Sequence, residues 1–485
     1  MYIGVDLGTT NVKAALYSRD MELIDRKSSP VEYIREGSCV EFDADEYFNV
    51  LVELLDSVLS AHGIESVTEI AFTGQAETLV CLDKEGKTLI NAISWMDDRS
   101  QDECRELDAM FPPELCERIT GQQAVLPTWP ATKILWLKRN MPEVYNAVDT
   151  YMLLKDFIIY RLTGVKKCDM SIATFSFYFD IYDKCYWKEM LDAIGVRESQ
   201  LPELTEPCSF IGNLRPELKD RLKLSGDVKI NCGTLDHFAG MIGTGNIDVG
   251  GVTLSTGTVM AFTAMSSEPA PRDSGIAMHY GFKPDTHIML PVVESGGVSL
   301  EWFRRSCMGE TDYDEMNRVL AERGGNSLIF LPYIAGTNAP EFDLDATGMF
   351  WGLRQEHDKF DMAHAVMEGV SFALRKNTDE IIAQGTALKS IIATGGGAKS
   401  DIWCQLHSDI TGLPVQVPAE KEAACLGAAI VAAVDDGRFA DYEEATKACV
   451  SFEKEFTPHP SEETESKFRK FNRLYEASIE AARME

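Results

Sequence analysis

Residues 2–17 read Tyr-Ile-Gly-Val-Asp-Leu-Gly-Thr-Thr-Asn-Val-Lys-Ala-Ala-Leu-Tyr, and this stretch decides the fold. Two apolar runs, Ile3–Leu7 and Val12–Tyr17, flank a turn of Gly8, Thr9, Thr10 and Asn11. Extended apolar segments joined by a few turn-forming residues predict a β-hairpin. Gly8 lets the backbone approach another group closely, the threonines add hydroxyls, and successive amide hydrogens can form an anion-binding concavity. Asp6 and Lys13 bracket the turn with one acid and one base. A carboxylate able to hold a metal ion's water, beside amides able to hold phosphate oxygens, suggests a nucleoside triphosphate site. On these residues alone an ordinary surface hairpin fits as well.

A second copy tips the balance. Residues 252–262, Val-Thr-Leu-Ser-Thr-Gly-Thr-Val-Met-Ala-Phe, repeat the plan of strand, Ser/Thr/Gly turn and strand. Gly8 and Gly257 fall one in each half of the 485 residues. Such duplication implies two similar lobes that share a ligand.

Asp6-x-Gly8-Thr9-Thr10-x-x-Lys13, with the second hairpin, resembles the FGGY carbohydrate kinases of the actin-like ATPase superfamily. Three further stretches resemble the same family: Asn231 to Gly240, Pro332 to Leu353, and Thr394-Gly-Gly-Gly-Ala-Lys-Ser-Asp401. As an ordered set they are specific, whereas each alone is weak. The resemblance implies an α/β fold of two actin-like (ribonuclease H-like) lobes, with mixed sheets flanked by helices and the active site in the interlobe cleft. An N-terminal sugar-binding lobe is expected over 1–246, with a helical insertion at about 98–195, and a C-terminal nucleotide-binding lobe over 247–485.

Composition agrees with a multidomain globular protein. The length exceeds what one core supports, and 45% hydrophobic with 25% charged residues is ordinary for such a chain. A net charge of −31 argues against nucleic-acid or anionic-membrane partners. Twelve cysteines are scattered without a Cys-x-x-Cys pair or zinc-like spacing; Cys404 and Cys425 sit in apolar patterns, as small hydrophobes do. The chain enters a strand at once, with no leader pattern, and no apolar run approaches membrane-spanning length. A cytoplasmic protein with free thiols is expected.

Periodicity predicts a helix over Asp43–Gly63, with Asp43 as N-cap, and a strand over Thr68–Thr73. Strands follow at Leu79–Asp83 and Leu89–Trp95, a helix at Tyr151–Leu162 and a strand at Phe175–Ile181. In the second half the pattern predicts strands at Leu328–Leu331, Ser390–Thr394 and Pro414–Val417. Helices are predicted at Asp361–Gln384, from Asp401, at Glu422–Val434 and at Ser461–Arg483, the last docking through Phe468, Phe471 and Leu474.

Asp236 follows the predicted strand Val228–Cys232 and opens a predicted helix, so capping is one reading. The resemblance implies another, the general base that takes the acceptor's proton. Gly395-Gly396-Gly397 between a strand and a helix allows close backbone approach to a ring or phosphate, or tight internal packing. Its Gly-Gly-Gly-Ala-Lys-Ser string fails P-loop spacing. By resemblance Gly396 and Gly397, with Ser400 or Asp401 nearby, belong to the ATP site with Gly8, Thr9, Thr10, Lys13, Gly257 and Thr258. Asp6 would hold Mg²⁺ through water. Gln75, Glu77, Trp95, Asp236 and His237 would face the sugar. Trp95-Met96-Asp97-Asp98-Arg99 resembles a family segment, but also fits a strand end with a surface ion pair. Ala76-Glu77 and His237 depart from the patterns of xylulose and glycerol kinases. His364 and Glu368 read as a surface pair on a helix.

The expected activity is ATP-dependent phosphorylation of a small sugar hydroxyl, foremost a ketopentose such as xylulose. Ribulose, fuculose, gluconate and glycerol are alternative acceptors; the residues leave the oligomeric state open, with a homodimer one assembly that the resemblance implies. An actin-like ATPase driving a protein partner, or a sugar-binding regulator with a dead kinase site, stand further off.

Overall fold

The opening hairpin forms as its sequence dictates: β1 (Tyr2–Leu7) pairs antiparallel with β2 (Asn11–Tyr17), Leu7 opposite Val12. The computed structural model describes residues 1–482 except 258, 267–275, 294, 338, 342 and 344. It divides into two units, one of Met1–Ile247 with Ala277–Ile288 and Glu422–Val450, the other of Asp248–Ile276, Met289–Lys421 and Ser451–Glu485. The expected division at 246/247 was one cut; along the sequence each unit is assembled from three separate segments.

In the first unit the hairpin continues through β3 (Leu23–Pro30), β4 (Glu69–Gly74), β5 (Phe210–Asn213) and β6 (Lys229–Leu235), in the sheet order β5-β6-β4-β1-β2-β3. Strands β1, β4 and β6 run parallel, with Leu7, Gly74 and Leu235 in register. Every residue of β1 and β4 is buried, which explains their near-continuous apolar sequence. The helix Ala44–Ala61 packs on this sheet, and Asp43 caps it by accepting from the amides of Asp45 and Glu46, a contact worth about 1 kcal/mol. The helix Ala423–Asp435 also belongs here, against β1 and the helix Asp236–Gly243. Gly243 and Gly427 permit that helix pair, since a Cβ on either would overlap the other helix's backbone.

Three predicted elements change. The strand predicted over Leu89–Trp95 is confined to Ala92–Ile93. Tyr151–Leu153, the predicted start of a helix, lies instead in the strand Thr150–Leu153, paired antiparallel with Leu79–Leu82; the helix begins at Leu154 and ends at Gly164, φ 85°. A short apolar run carries no period that separates strand from helix, and the partner strand decides. Within Phe175–Ile181, strand is confined to Phe179–Asp180. The region 98–195 is otherwise mainly helical, as expected.

The second unit repeats the sheet plan. Hairpin β7 (Gly251–Thr256) and β8 (Met260–Ser266) is followed by β9 (Val292–Val293), β10 (Ser390–Gly395), β11 (Val415–Pro418) and β12 (Phe452–Phe456). Strands β7, β10 and β11 are parallel, β12 is antiparallel on β11, and β9 is antiparallel on β8. These six strands pair as β3-β2-β1-β4-β6-β5 do, so the duplication inferred from two turns extends well beyond them; Met278–Tyr280 and His287–Met289 add to the second sheet without a counterpart in the first.

The long helix Lys359–Ala383 starts at a capping box of Asp358 and Asp361. Contrary to expectation, His364 and Glu368 on it are buried, because the C-terminal helix Glu462–Ala482 lies over this face and Lys467 ion-pairs with Glu368. Phe468, Phe471 and Tyr475 dock that helix beside Phe372 and Tyr333. All twelve cysteines are free thiols, with Cys404 and Cys425 buried. Among the described residues no helix is long and apolar enough to cross a membrane.

Candidate active site

In the first unit three parallel strands end together, and Gly8, Gln75 and Asp236 each follow directly from the aligned Leu7, Gly74 and Leu235. The carboxyl edge of parallel strands is where open α/β sheets bind ligands. The register therefore gathers the Gly8–Asn11 turn, the Gln75–Glu77 loop and Asp236 at one edge.

The turn itself is pinned from one side. The Gly8 carbonyl accepts from Tyr47 Oη at 3.2 Å and Gln75 Nε2 at 3.3 Å, and the Thr9 carbonyl accepts from Tyr33 Oη at 2.9 Å. In a trans peptide the N–H points opposite to the C=O. Hence the Thr9 and Thr10 amides point away from those tyrosines, as an anion cradle requires. Trp95 Nε1 donates to Thr9 Oγ1 at 2.9 Å. Of the residues expected to face the sugar, Gln75 and Trp95 thus also shape the turn. Gln75 is buried, and its Oε1 accepts from Thr78 at 2.8 Å.

Asp6 is buried, its Oδ1 has no hydrogen-bond partner, and Lys13 Nζ lies 3.8 Å from Oδ2. Burial first, then the negative charge of Asp236, pushes the Asp6 carboxyl up to about 7 against the pull of Lys13. Lys13 also donates to Glu422 at 2.6 Å. Burial disfavours its charge, but Glu422 and Asp6 outweigh that and hold the ammonium above its usual range. Glu422, 409 positions away, was invisible to sequence reasoning.

Glu77 adopts φ 64°, a conformation uncommon for a non-glycine residue and often found at functional loops. Burial raises its carboxyl, with Lys133 opposing. Lys133 is buried and donates to the carbonyls of Ser94 at 2.8 Å and Glu77 at 3.2 Å. Asp97 and Arg99 do form an ion pair, but a buried one: Asp97 also accepts from the Val40 amide at 2.6 Å, and Arg99 reaches Glu41 at 2.6 Å. That segment braces the loop from below.

Asp236 is partly exposed and opens its helix, with Oδ1 accepting from the His237 amide at 2.6 Å. Beneath it runs a buried polar chain. Lys155 pairs with Asp169 and donates to the Cys232 carbonyl at 2.7 Å, and Ser171 Oγ donates to Asp169. Ser171 Oγ in turn accepts from Thr234 Oγ1 at 2.9 Å and from the Leu235 amide at 3.2 Å. The peptide leading into Asp236 is thereby fixed. His237 is exposed next to it.

In the second unit Thr256 and Gly395 are in register, so Gly257 and Gly396 leave adjacent parallel strands. Thr258, expected at the phosphates, lies outside the described residues. Gly395 has φ 78°, and a Cβ on Gly397 would lie 2.7 Å from Thr256 Cβ. The triple glycine thus serves tight packing, and it also borders a cavity of about 430 Å³ lined by Gly257, Gly396, Gly397, Asn317, Ser400 and Trp403, among others. Ser400 caps the following helix and donates to Asn317 at 2.7 Å. Asp401 does not line this cavity; it is exposed and pairs with Lys454 at 2.7 Å. As the first helical residue it turns away from the side that Ser400 presents. The start of the helix Gly297–Cys307 also borders the cavity, with the Gly297 amide donating to the Gly257 carbonyl at 2.9 Å. The Gly296-Gly297 pair was the available signal for it.

Among the described residues no group of three His, Cys, Asp or Glu side chains could hold a metal ion. A lone carboxylate with an orphaned oxygen, as at Asp6, fits Mg²⁺, which keeps several waters and takes one or two carboxylates plus phosphate oxygens.

A xylulose kinase of Staphylococcus epidermidis is 29% identical over 483 residues, covering 98% of this chain and 95% of the relative. A gluconokinase of Bacillus licheniformis is 26% identical, covering 98% and 94%. The structure of a ligand-bound xylulose kinase from Lactobacillus acidophilus superposes with TM-score 0.90 at 26% identity, covering 100% of this chain and 98% of that one. Residues 1–243 match the N-terminal domain model, and residues 252–435 the C-terminal domain model, of one family of sugar-phosphorylating enzymes. The chain belongs to the FGGY family of carbohydrate kinases.

Proposed function

We propose that this kinase transfers the γ-phosphoryl group of ATP to a hydroxyl of a ketopentose, xylulose first among them, with Asp236 as general base. The observation that carries the reading is the shared register of Leu7, Gly74 and Leu235, which delivers Gly8–Thr10, Gln75–Glu77 and Asp236 to one sheet edge. Phosphoryl transfer needs little covalent help; it needs positioning and neutralised charge. The second unit's cavity is of ligand size, and it would take the adenosine end of ATP. The outward amides of Thr9 and Thr10, with Gly257 and Thr258, would bind phosphate oxygens. Mg²⁺, held by Asp6 through water, would supply charge neutralisation. Asp236 would accept the proton of the acceptor hydroxyl as the new O–P bond forms. The reading includes work in the cytoplasm, where twelve free thiols persist.

The xylulose kinase likeness favours a ketopentose. So does charge: Glu77 and Asp236 are acidic, and Lys133 is already engaged by two carbonyls. An aldonate carboxylate would meet repulsion there, which tells against gluconate despite the gluconokinase relative. Coupled ADP release over pentuloses, hexuloses, polyols and aldonates tests the reading. Turnover fastest with a ketopentose is expected; turnover confined to aldonates, or indifferent to every sugar, would overturn it.

A further inference from the structure

His279 belongs to the first unit, on the segment Ala277–Ile288, and nothing above gives it a task. It is buried, and its ring stacks on Phe175 with centroids 4.3 Å apart and planes at 11°. It also lies 6.4 Å from Phe238 in the first turn of the helix that Asp236 opens. Gln122 Nε2 stands 3.2 Å from the Met278 carbonyl and 3.1 Å from His279 Nδ1.

That pair of contacts settles the protons. A carbonyl can accept but not donate, so the Gln122 atom facing Met278 must be the NH₂ group. Its two hydrogens then serve two acceptors, Met278 O and His279 Nδ1. An imidazole whose Nδ1 accepts carries its proton on Nε2. Burial first, and the neighbouring His237 second, lower the His279 pKa to about 3, so the ring stays neutral. The result is an uncharged N–H donor packed near the first turn of the helix that Asp236 opens, with its tautomer fixed. Polar pre-organisation of this kind is what a site needs to read one hydroxyl.

We propose that His279 is a specificity-determining residue of the acceptor site, its Nε2–H donating to a hydroxyl or carbonyl oxygen of an uncharged polyhydroxy acceptor, with Gln122 as the positioning residue that keeps the proton on Nε2. The inference rests on the kinase reading above and adds the polar group that reads the acceptor. A neutral donor favours a neutral acceptor, because it offers a carboxylate no compensating charge.

His279→Phe keeps the stacked ring and removes the donor. With the best sugar of the panel, kcat/KM should fall ~10-fold or more, as when a site loses a hydrogen bond to its substrate, while ATP's KM moves less than about twofold. Single-deoxy versions of that sugar give the decisive readout. One of them should lose as much with wild type as His279→Phe loses with the parent sugar, and should lose nothing further with the variant. Equal added losses for every deoxy sugar, or no loss with the parent, would overturn the proposal. Gln122→Leu leaves His279 in place and gives a second route: sugar KM should rise several-fold at nearly unchanged kcat, and an unchanged sugar KM would refute Gln122's part. Wild type inactive on all sugars would instead sink the kinase reading, a result distinct from any of these.

Discussion

Replacing Asp6 by Asn should abolish turnover and, in the protein free of nucleotide and metal, make the fold more stable at alkaline pH. The reason lies in the raised Asp6 carboxyl, at about 7 in the folded chain against its ordinary 3.8. A carboxyl raised by folding favours the folded state below its unfolded pKa, and that contribution is lost as pH rises through the folded value. Ionised Asp6 is therefore a liability at pH 8. With 1.36 kcal/mol per unit, the liability is about 4 kcal/mol at pH 8 and about half that at pH 5.5. Asparagine carries no charge and should recover much of it. At roughly 2 °C per kcal/mol for a chain of this size, Asp6→Asn should raise Tm by several degrees at pH 8 and by clearly less at pH 5.5. Scanning fluorimetry at both pH values reads this directly. A variant less stable than wild type at pH 8, or a gain independent of pH, would refute the reasoning that Asp6 is kept as a poorly solvated carboxylate for its ligand.

Three further outcomes follow from the site. Glu77→Ala should lower kcat/KM for the sugar by the equivalent of about 1–3 kcal/mol and leave ATP's KM unchanged in steady-state kinetics. Gly397→Ala pushes a methyl against Thr256, and such overpacking typically costs about 1–3 kcal/mol; calorimetric titration should show weakened ATP binding while the sugar still binds. Ser171→Ala strips the Leu235 amide and Thr234 of their shared partner. Thermal unfolding should report a loss of about 1–3 kcal/mol, and kcat should fall at constant ATP KM.

Much of this was legible in the chain because the signals were local. The hairpins announced themselves through apolar runs around Gly8 and Gly257, and Asp43, Gly63 and Gly164 marked helix ends by capping chemistry. What escaped was set by distant partners. Thr150–Leu153 is a strand because Leu79–Leu82 lies beside it. His364 and Glu368 have the spacing of a solvated helix face, yet Lys467 comes from 99 positions away to bury the pair. Lys13 meets Glu422, and Gln122 meets His279, across separations that no motif encodes. The resemblance offered Ser400 or Asp401 beside the glycines; Ser400 lines the cavity, and one step along a helix turns the Asp401 side chain to another face.

The central claim is that Asp236 takes the acceptor's proton, and Asp236→Asn tests it most directly. Asparagine keeps the shape, and it suits a helix N-terminus about as well as aspartate. It cannot accept the proton, and general-base help is typically worth ~10²–10⁴-fold. Sugar phosphorylation by Asp236→Asn, measured by coupled ADP release beside ATP affinity, should fall by that order with ATP affinity near wild type. Transfer within a few-fold of wild type would contradict the account.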